Sequence, residues 1–451
     1  MAVAVVICPP VVPRAARSRR VSTGVLPGVK ARRHRPERRG ARRVTAAAPT
    51  GSGGPLPTAE SHGPSFSRGL WRIAAAAASG GNRVALLRNG PDAFAAMLDA
   101  IEAARVSVSL ESYLVLSDSV GEQFAEALSE AARRGLRVRF LADWIGSRGT
   151  ARAYWRRLRE RGVAVRIFNP PGPRAWLGLL PRDHRKLLVV DDAIGLTGGM
   201  GLSEAWSGGL RRRRKQAPWR DTAVRIEGPA VADMALAFEG MWRRAGFEEP
   251  MRQRRHLLPR SRGADVDPEL TPGAVVGIIE GEPWRLRVAR ALQLQAVSAE
   301  REIWIASAYL YPSVAELEAL AGAARDGVDV RILVPSKYDH PWVRRFTRRA
   351  YRRLLHNGVR IWEWNGVMMH AKTTVVDGRW LRVGSTDFNP LGIALNYELD
   401  AIVQDPRLGQ EAREMYLEDL EQSTEVRDLG PSRLARGPDA AGSAPERRRI
   451  E

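Results

Sequence analysis

The sequence has little cysteine and little lysine. Its 451 residues include a single cysteine, Cys8, which excludes a disulfide framework, a thiolate zinc site and an iron–sulfur cluster. Only five lysines stand beside 66 arginines, so the positions that keep a lysine are informative. No apolar run approaches the roughly 18 residues of a membrane-spanning helix. The apolar fraction of 44% nevertheless excludes a wholly disordered or fibrous chain.

The positive charge is unevenly distributed along the chain. Of the formal net charge of +21, residues 1–50 contribute +11, from twelve basic residues and one acidic residue. Residues 1–68 are predicted to be a basic, disordered arm and linker, with an organellar transit peptide as the alternative. The segment has no basic region before its first apolar stretch, which argues against a secretory signal. Residues 431–451 are predicted to be a disordered tail.

The body of the chain is an internal repeat in which strands alternate with helical stretches. Four pairs of segments match in the same order: 106–115 with 303–312, 134–143 with 326–335, 161–170 with 357–366, and 184–199 with 370–385. The alternation predicts α/β layers with largely parallel strands, and Gly before the strands predicts helix C-caps. We therefore expect two similar α/β domains, over residues 85–250 and 275–430.

Each half contains a histidine and a lysine two residues apart, followed by an aspartate five residues after the lysine. These triplets are His184, Lys186 and Asp191, and His370, Lys372 and Asp377. Alternate residues of a strand share one face, so each histidine and lysine point into one site. A single His-x-Lys motif would indicate a solvated strand end. Its repetition at equivalent positions favours a catalytic site instead.

Two imidazoles and two ammonium groups suit chemistry at phosphorus. One imidazole can attack phosphorus and form a phosphohistidine, and the second can protonate the leaving oxygen and then activate a hydroxyl. The lysines neutralise the phosphate oxygens as charge develops. This chemistry needs no metal and no other cofactor, and the sequence offers no convincing cluster of metal ligands.

At these residues the sequence resembles the phospholipase D superfamily, whose signature is His-x-Lys-x4-Asp followed by a Gly-Gly or Gly-Ser turn. Within it, the chain is most similar to bacterial cardiolipin synthases that lack transmembrane helices. The segments that carry the resemblance are 111–121, 184–206, 219–231, 368–378 and 384–400. The resemblance implies two phospholipase D-like α/β domains related by pseudo-two-fold symmetry, with the active site at their interface.

The resemblance also implies a reaction. A phospholipid would donate its phosphatidyl group to a histidine, and the hydroxyl of phosphatidylglycerol would accept it to give cardiolipin. Phosphatidylethanolamine is a further possible donor. We assign His184 as the nucleophile and His370 as the acid and base. One alternative is a hydrolase or nuclease of the same superfamily. Another is a membrane-binding pseudoenzyme, because Gly201 and Asp387 replace the asparagines that are common at these positions.

Supporting residues follow from the same resemblance. Family carboxylates that orient the histidines match Glu398, with a surface salt bridge as its alternative role, and less closely Asp221. Three other residues are expected to support the site: Glu111 at the end of the first strand, Ser385 in the Gly-Ser turn, and Asn389, whose amide would replace the one that Asp387 lacks. Asp191 and Asp377 belong to the catalytic motif, but we expect them to anchor the following turn rather than touch substrate.

The expected partners are phospholipid substrates and an anionic membrane surface, with no nucleic acid, on a protein peripheral to the inner (cytoplasmic) membrane. Trp176 and Leu177 precede His184 in a loop that suits contact with acyl chains, the alternative being core packing. A basic run is predicted to contact headgroups, unless it is a solvated loop: Arg211, Arg212, Arg213, Arg214 and Lys215. Residues 340–358 predict a basic amphipathic helix whose apolar face packs on the second sheet and whose arginines face anionic lipid or solvent.

Overall fold

The computed structural model describes residue 69 and residues 72–170, 181–211, 214–246, 273–339 and 343–427. The predicted arm and tail, Trp176, Leu177, Arg212 and Arg213 lie outside the described residues. Arg211, Arg214 and Lys215 lie in a two-stranded hairpin in which Arg211 pairs with Arg214, and the structure describes its backbone only. Both halves of the repeat contribute to one 15-stranded sheet.

The first half begins with a long strand and ends with a helix. Its strands are β1 (Ala78–Arg88), β2 (Ser107–Ser112), β3 (Arg137–Asp143), β4 (Ala164–Phe168), β5 (Lys186–Val190), β6 (Ile194–Gly198), the hairpin β7 (Gly209–Arg211) and β8 (Arg214–Gln216), and β9 (Thr222–Glu227). Its helices are α1 (Asn89–Ala103), α2 (Ser119–Arg133), α3 (Arg152–Glu160), α4 (Glu204–Ser207) and α5 (Val231–Ala245).

The second half repeats this order without the hairpin and adds a short final strand. Its strands are β10 (Ala274–Gly281), β11 (Glu302–Ser307), β12 (Asp329–Pro335), β13 (Arg360–Trp364), β14 (Lys372–Val376), β15 (Trp380–Gly384), β16 (Glu398–Gln404) and β17 (Ser423–Glu425). Its helices are α6 (Arg287–Ser298), α7 (Val314–Arg325), α8 (Val343–His356), α9 (Pro390–Leu395) and α10 (Pro406–Glu421).

The two halves occupy the sheet in mirrored order. From the centre outward the first half runs β1-β9-β6-β5-β2-β3-β4, and the second runs β10-β16-β15-β14-β11-β12-β13, followed by β17. The halves meet where β1 and β10 pair antiparallel, with Ala78 opposite Gly277. Antiparallel pairing of equivalent strands is what a two-fold axis produces. The expectation of two similar α/β halves related by pseudo-two-fold symmetry is confirmed.

The expectation of a largely parallel sheet is wrong. In the described part of the chain, parallel pairing is confined to β2-β3-β4 and β11-β12-β13, and the other paired strands are antiparallel. The reason is the short turn after β5 and after β14, since a few residues can close only an antiparallel hairpin. The first strand also begins at Ala78, ahead of the predicted boundary at residue 85, because its opening residues, Ala-Ser-Gly-Gly, carry no alternating apolar pattern.

Helix ends and helix packing agree with the sequence pattern. Four glycines with φ between +87° and +93° follow the helices that precede β3, β4, β12 and β13: Gly135, Gly162, Gly327 and Gly358. This confirms the predicted glycine C-caps. Helix α8 buries Ala350, Tyr351 and Leu354 against the second sheet, as its amphipathic pattern predicts. Among the described residues, no helix has both the length and the apolar character needed to cross a bilayer.

The central core belongs to both halves. Val224 and Phe238 of the first half share one buried cluster with Val276 and Leu399 of the second. A buried ion pair also crosses the boundary, because Arg220, next to β9, lies with its Nη2 2.7 Å from the Oδ2 atom of Asp419 in α10. Both side chains are less than 5% exposed. The halves are therefore joined by apolar packing and by a desolvated charge pair.

We predict that Asp419→Ala lowers the free energy of unfolding by about 3–5 kcal/mol, because it leaves the buried Arg220 guanidinium without its carboxylate. Urea denaturation measures the change. Glu418→Ala is the matched control, since the Glu418 side chain is 57% exposed and pairs with Arg88 at the surface. That change should cost about 1 kcal/mol or less. If the two substitutions had equal effects, the buried Arg220–Asp419 pair would not be a major source of stability.

Candidate active site

His184 is held by a carboxylate from the other half of the molecule. It lies two residues before β5, and its Nδ1 atom is 3.0 Å from both carboxylate oxygens of Glu398, the first residue of β16. The Ser385 hydroxyl donates to Glu398 Oε2 over 2.5 Å. Because Nδ1 is engaged, Nε2 is the ring nitrogen left for chemistry. The structure thus brings together three residues that the sequence predicts for the site.

His370 has the reciprocal arrangement. It lies two residues before β14, and its Nδ1 atom is 2.9 Å from Oδ2 of Asp221, which immediately precedes β9 in the first half. The indole Nε1–H of Trp206 donates to the same carboxylate oxygen over 2.8 Å. The His370 side chain is 9% exposed and that of Asp221 is fully buried. Each histidine is therefore oriented by the opposite half.

Backbone hydrogen bonds also hold each histidine next to the carboxylate of the opposite half. The His184 N–H donates to the Tyr397 carbonyl over 2.9 Å, and the His370 N–H donates to the Arg220 carbonyl over 2.7 Å. The residues that accept these bonds immediately precede Glu398 and Asp221. Each histidine thus enters the interface beside the carboxylate that holds its ring, and the site exists only where the two halves meet.

The two lysines lie on the same faces as their histidines. Lys186 Nζ donates to the His184 carbonyl over 2.5 Å, and Lys372 Nζ donates to the His370 carbonyl over 2.7 Å. Lys372 Nζ is also 3.4 Å from Oδ2 of Asp387. Both lysine side chains are buried. Two desolvated ammonium groups next to two imidazoles form a site suited to a phosphate anion.

Burial shifts the pKa values of the ionisable groups around His184. Burial lowers the pKa of the His184 imidazole well below its usual value, and the charges of Lys186 and Lys372 lower it further. Burial also raises the pKa of Glu398 to about 7 and lowers that of Lys186 to about 8. At neutral pH His184 is therefore uncharged, with a lone pair available on Nε2.

The aspartates of the two motifs anchor turns. Asp191 accepts backbone hydrogen bonds from Arg105, Val106 and Ser107 over 2.7–2.8 Å. Asp377 accepts the equivalent bonds from residues 300–302, and each aspartate has φ near +50° in the turn after its strand. These contacts agree with the expectation that the two aspartates anchor turns, because their carboxylates accept hydrogen bonds from backbone N–H groups at the opposite ends of β5 and β14 from the histidines.

Glu111 is buried below the site and contacts neither histidine. Its fully buried carboxyl group shares a hydrogen bond with the Asp183 carboxyl group, and Arg185 and Glu280 are further electrostatic neighbours. Burial and the Asp183 charge raise its pKa well above the usual value. Asp183 and Arg185 are the chain neighbours of His184, so Glu111 contacts the chain segment that holds His184 and does not contact its ring.

The departures from the superfamily pattern have a structural explanation. A Cβ atom on Gly201 would lie 2.9 Å from the Cβ atom of Leu114, so an asparagine does not fit there. Asp387 accepts the Tyr309 N–H over 3.1 Å and faces Lys372, whose charge offsets its own. Asn389 is half-buried at the start of α9. Its predicted amide contact with phosphate stays a prediction.

Four aromatic residues of the site were not predicted to be functional from the sequence. The Tyr113 ring lies 4.8 Å from the His184 ring, and the Tyr309 ring lies 6.1 Å from the His370 ring. Trp206 and Trp219 lie 5.3 and 5.9 Å from the His370 ring. The two tyrosines are 196 residues apart at equivalent positions of the repeat. This equivalence is the sequence feature that could have identified them as site residues. In the described segments, no group of three histidine, cysteine or acidic side chains is placed to hold a metal ion.

Comparison with known proteins gives consistent matches over this region. The family model for the cardiolipin synthase, PLD-like domain, matches residues 97–242 and 294–420. A cardiolipin synthase of Listeria innocua is 30% identical over 346 residues, which cover 76% of this chain and 70% of that protein. One from Geobacillus kaustophilus is 33% identical over 335 residues, covering 74% and 65%. This chain thus spans about two thirds of the length of these relatives.

A solved structure shares the fold. The crystal structure of a phosphatidylserine synthase from Haemophilus influenzae superposes with a TM-score of 0.61 at 14% sequence identity, and the match covers 80% of this chain and 92% of that one. At this identity the likeness concerns the fold alone. It agrees with the mirrored pair of α/β halves described above.

We predict that Asp387→Asn strengthens the binding of inorganic phosphate about tenfold, which corresponds to about 1.4 kcal/mol. The substitution removes the anion that competes for Lys372 and supplies an amide donor, while its oxygen still accepts the Tyr309 N–H. Isothermal titration calorimetry measures the dissociation constant. Asp339→Asn is the control, since Asp339 accepts from the Tyr309 hydroxyl rather than pairing with a lysine of the site. Unchanged or weaker phosphate binding by Asp387→Asn would show that the Asp387 carboxylate does not compete with phosphate for Lys372.

Proposed function

The chain belongs to the family of cardiolipin synthases with a phospholipase D-like domain, and we propose that it transfers a phosphatidyl group to phosphatidylglycerol, producing cardiolipin. The donor is a second phospholipid, either phosphatidylglycerol or phosphatidylethanolamine. The observation that carries this proposal is the pair of histidines, each held by a carboxylate of the opposite half, beside two buried lysines. No other group of described residues combines two nucleophilic bases with two cations.

The first half-reaction uses His184 as the nucleophile. Its Nε2 lone pair attacks phosphorus, the bond between phosphorus and the headgroup oxygen breaks, and a phosphatidyl-histidine forms. His370, as the imidazolium, gives its proton to the departing oxygen. The low pKa of His184 supports this order, because an uncharged imidazole is the form that attacks. Glu398, once ionised, stabilises the positive charge on the substituted ring.

The second half-reaction reverses the proton transfer. The neutral His370 takes the proton of the phosphatidylglycerol hydroxyl, whose oxygen attacks phosphorus, and the bond to His184 breaks. Asp221 stabilises the imidazolium that forms on His370. Lys186 and Lys372 neutralise the non-bridging oxygens in both steps. Because donor and acceptor are bilayer lipids, we propose that the protein works as a peripheral protein on the inner membrane.

We predict that His184→Ala and His370→Ala each lower cardiolipin formation by about a thousandfold or more, since each removes a group that both half-reactions need. Mass spectrometry of lipids after incubation with defined phosphatidylglycerol and phosphatidylethanolamine vesicles measures the product. His356→Ala is the control, because His356 is exposed at the end of α8. Cardiolipin formation that persists in both active-site variants would rule out the mechanism, and phosphatidic acid as the sole product would indicate a hydrolase.

The order of roles has a separate test. In a rapid alkaline quench followed by peptide mass spectrometry, the phosphatidyl adduct should lie on the peptide that contains His184. An adduct on the His370 peptide would reverse the two roles while leaving the overall reaction intact.

We predict that kcat/KM for phosphatidyl transfer is highest between pH about 7 and about 8. Below pH about 7 Glu398 gains a proton and no longer stabilises a cationic His184, so activity falls as the pH decreases. Above pH about 8 Lys186 loses its proton and its attraction for phosphate, so activity falls as the pH increases. Lys186→Arg should move the alkaline limit upward, because arginine stays protonated. An alkaline limit that is identical in this variant would exclude Lys186 as its source.

A further inference from the structure

Two loops of the second half expose large apolar side chains. Trp284 and Leu286, in the loop between β10 and α6, are 76% and 41% exposed. Tyr311, in the loop after β11, is 43% exposed, and Val314, the first residue of α7 after this loop, is 67% exposed. These four residues are here called the rim patch. Most aromatic side chains in the described chain are buried, so a Trp and a Tyr exposed on neighbouring loops need a reason.

Both loops are tied to the segment that forms one wall of the active site. The Trp284 N–H donates to the Ala394 carbonyl, and the Tyr311 N–H donates to the Phe388 carbonyl, each over 2.7 Å. Phe388 lies two residues before α9 and Ala394 is its fifth residue, so both loops are joined to this short helix, whose six residues span about 9 Å. The segment begins at Asp387, which faces Lys372, and leads to Glu398, which holds His184. The rim patch therefore borders the active site on the side of the second half.

The backbone of the first loop is held in an unfavourable conformation. Trp284 has φ of +67° and Leu286 has φ of +50°, both in the left-handed region. For side chains of this size that conformation costs about 1 kcal/mol or more per residue. In water, nothing is gained by using this strain to keep an indole 76% exposed. The indole would be stabilised at the boundary between headgroups and acyl chains, where Trp and Tyr are enriched.

The charge around the first of these loops, which carries Trp284 and Leu286, suits an anionic surface. The residues from 281 to 290 include three arginines, Arg285, Arg287 and Arg290, and one carboxylate, Glu282. Glu282 pairs with Arg285 over 2.9 Å, and the Arg285 side chain is still 50% exposed. Aromatic side chains next to an excess of arginine match the interfacial region of a bilayer that contains anionic lipid.

We propose that the rim patch inserts into the interface of an anionic phospholipid bilayer and holds the mouth of the active site against it. The patch places bilayer contact on loops of the second half that were not predicted to bind membrane. The proposal rests on the proposed function in one respect, namely that the substrate reaches the site from a bilayer.

Vesicle binding tests the proposal directly. Sedimentation with vesicles of phosphatidylglycerol and phosphatidylcholine should show that the double variant Trp284→Ser, Tyr311→Ser binds about tenfold more weakly than the unmodified chain. The matched control is Leu236→Ser, Val297→Ser, because these residues are 53% and 72% exposed on α5 and at the far end of α6. The control should bind within twofold of the unmodified chain. The single variant Trp284→Tyr keeps Tyr311 and an interfacial aromatic group at position 284, so it should bind vesicles nearly as strongly as the unmodified chain.

Turnover separates this proposal from the proposed function. On vesicles the rim-patch variant should lose about tenfold in rate, and on short-chain phosphatidylglycerol kept below its micelle concentration it should keep the unmodified rate. If the unmodified chain transferred no phosphatidyl group to any lipid, the proposed function would fail, while vesicle binding would still test the patch. Unchanged vesicle binding by the double variant would overturn the proposal. A dimer in solution that the double variant loses, with vesicle binding intact, would make the patch a protein–protein interface.

Discussion

The hydrogen bond between each histidine and a carboxylate of the opposite half is the interaction on which the rest of the structure depends. His184 needs Glu398 and His370 needs Asp221, so neither half holds a complete catalytic base by itself. This requirement explains why the two halves share one sheet and one core instead of packing as separate domains. Apolar burial between them stabilises the fold, and the same burial desolvates the charges that the chemistry uses.

Two-fold repetition gives the two histidines the same frame, and local differences give them different properties. Glu398 is supported by the Ser385 hydroxyl, whereas Asp221 is supported by the Trp206 indole. A serine cannot occupy the first-half position, because a Cβ atom on Gly199 would lie 2.2 Å from Oδ1 of Asp221. The repeat therefore builds the site, and these substitutions within it give the two histidines different surroundings.

Sequence analysis could predict what depends on local pattern. The strands that carry Lys186 and Lys372, the glycine C-caps and the repeat all follow from short-range periodicity. The pairing of Glu398 with His184, 214 residues away, follows from no such pattern, because it is set by how the halves dock. The antiparallel return of β5 was missed for a related reason, since strand direction depends on connection length. Tyr113 and Tyr309 look like ordinary strand residues until the fold places them beside the imidazoles.

Charge balance shows why a carboxyl group with a pKa near neutrality suits this site. Lys186 and Lys372 face three carboxylates, Asp221, Asp387 and Glu398, so the site without substrate holds no excess positive charge when all are ionised. A phosphodiester adds one negative charge, which favours the protonated form of Glu398. A cationic ring on His184 instead favours its ionised form. A carboxyl group whose pKa is about 7 can be protonated when the phosphodiester binds and ionised when the His184 ring is cationic, at little free-energy cost for either change. Burial next to two lysines is what sets that value.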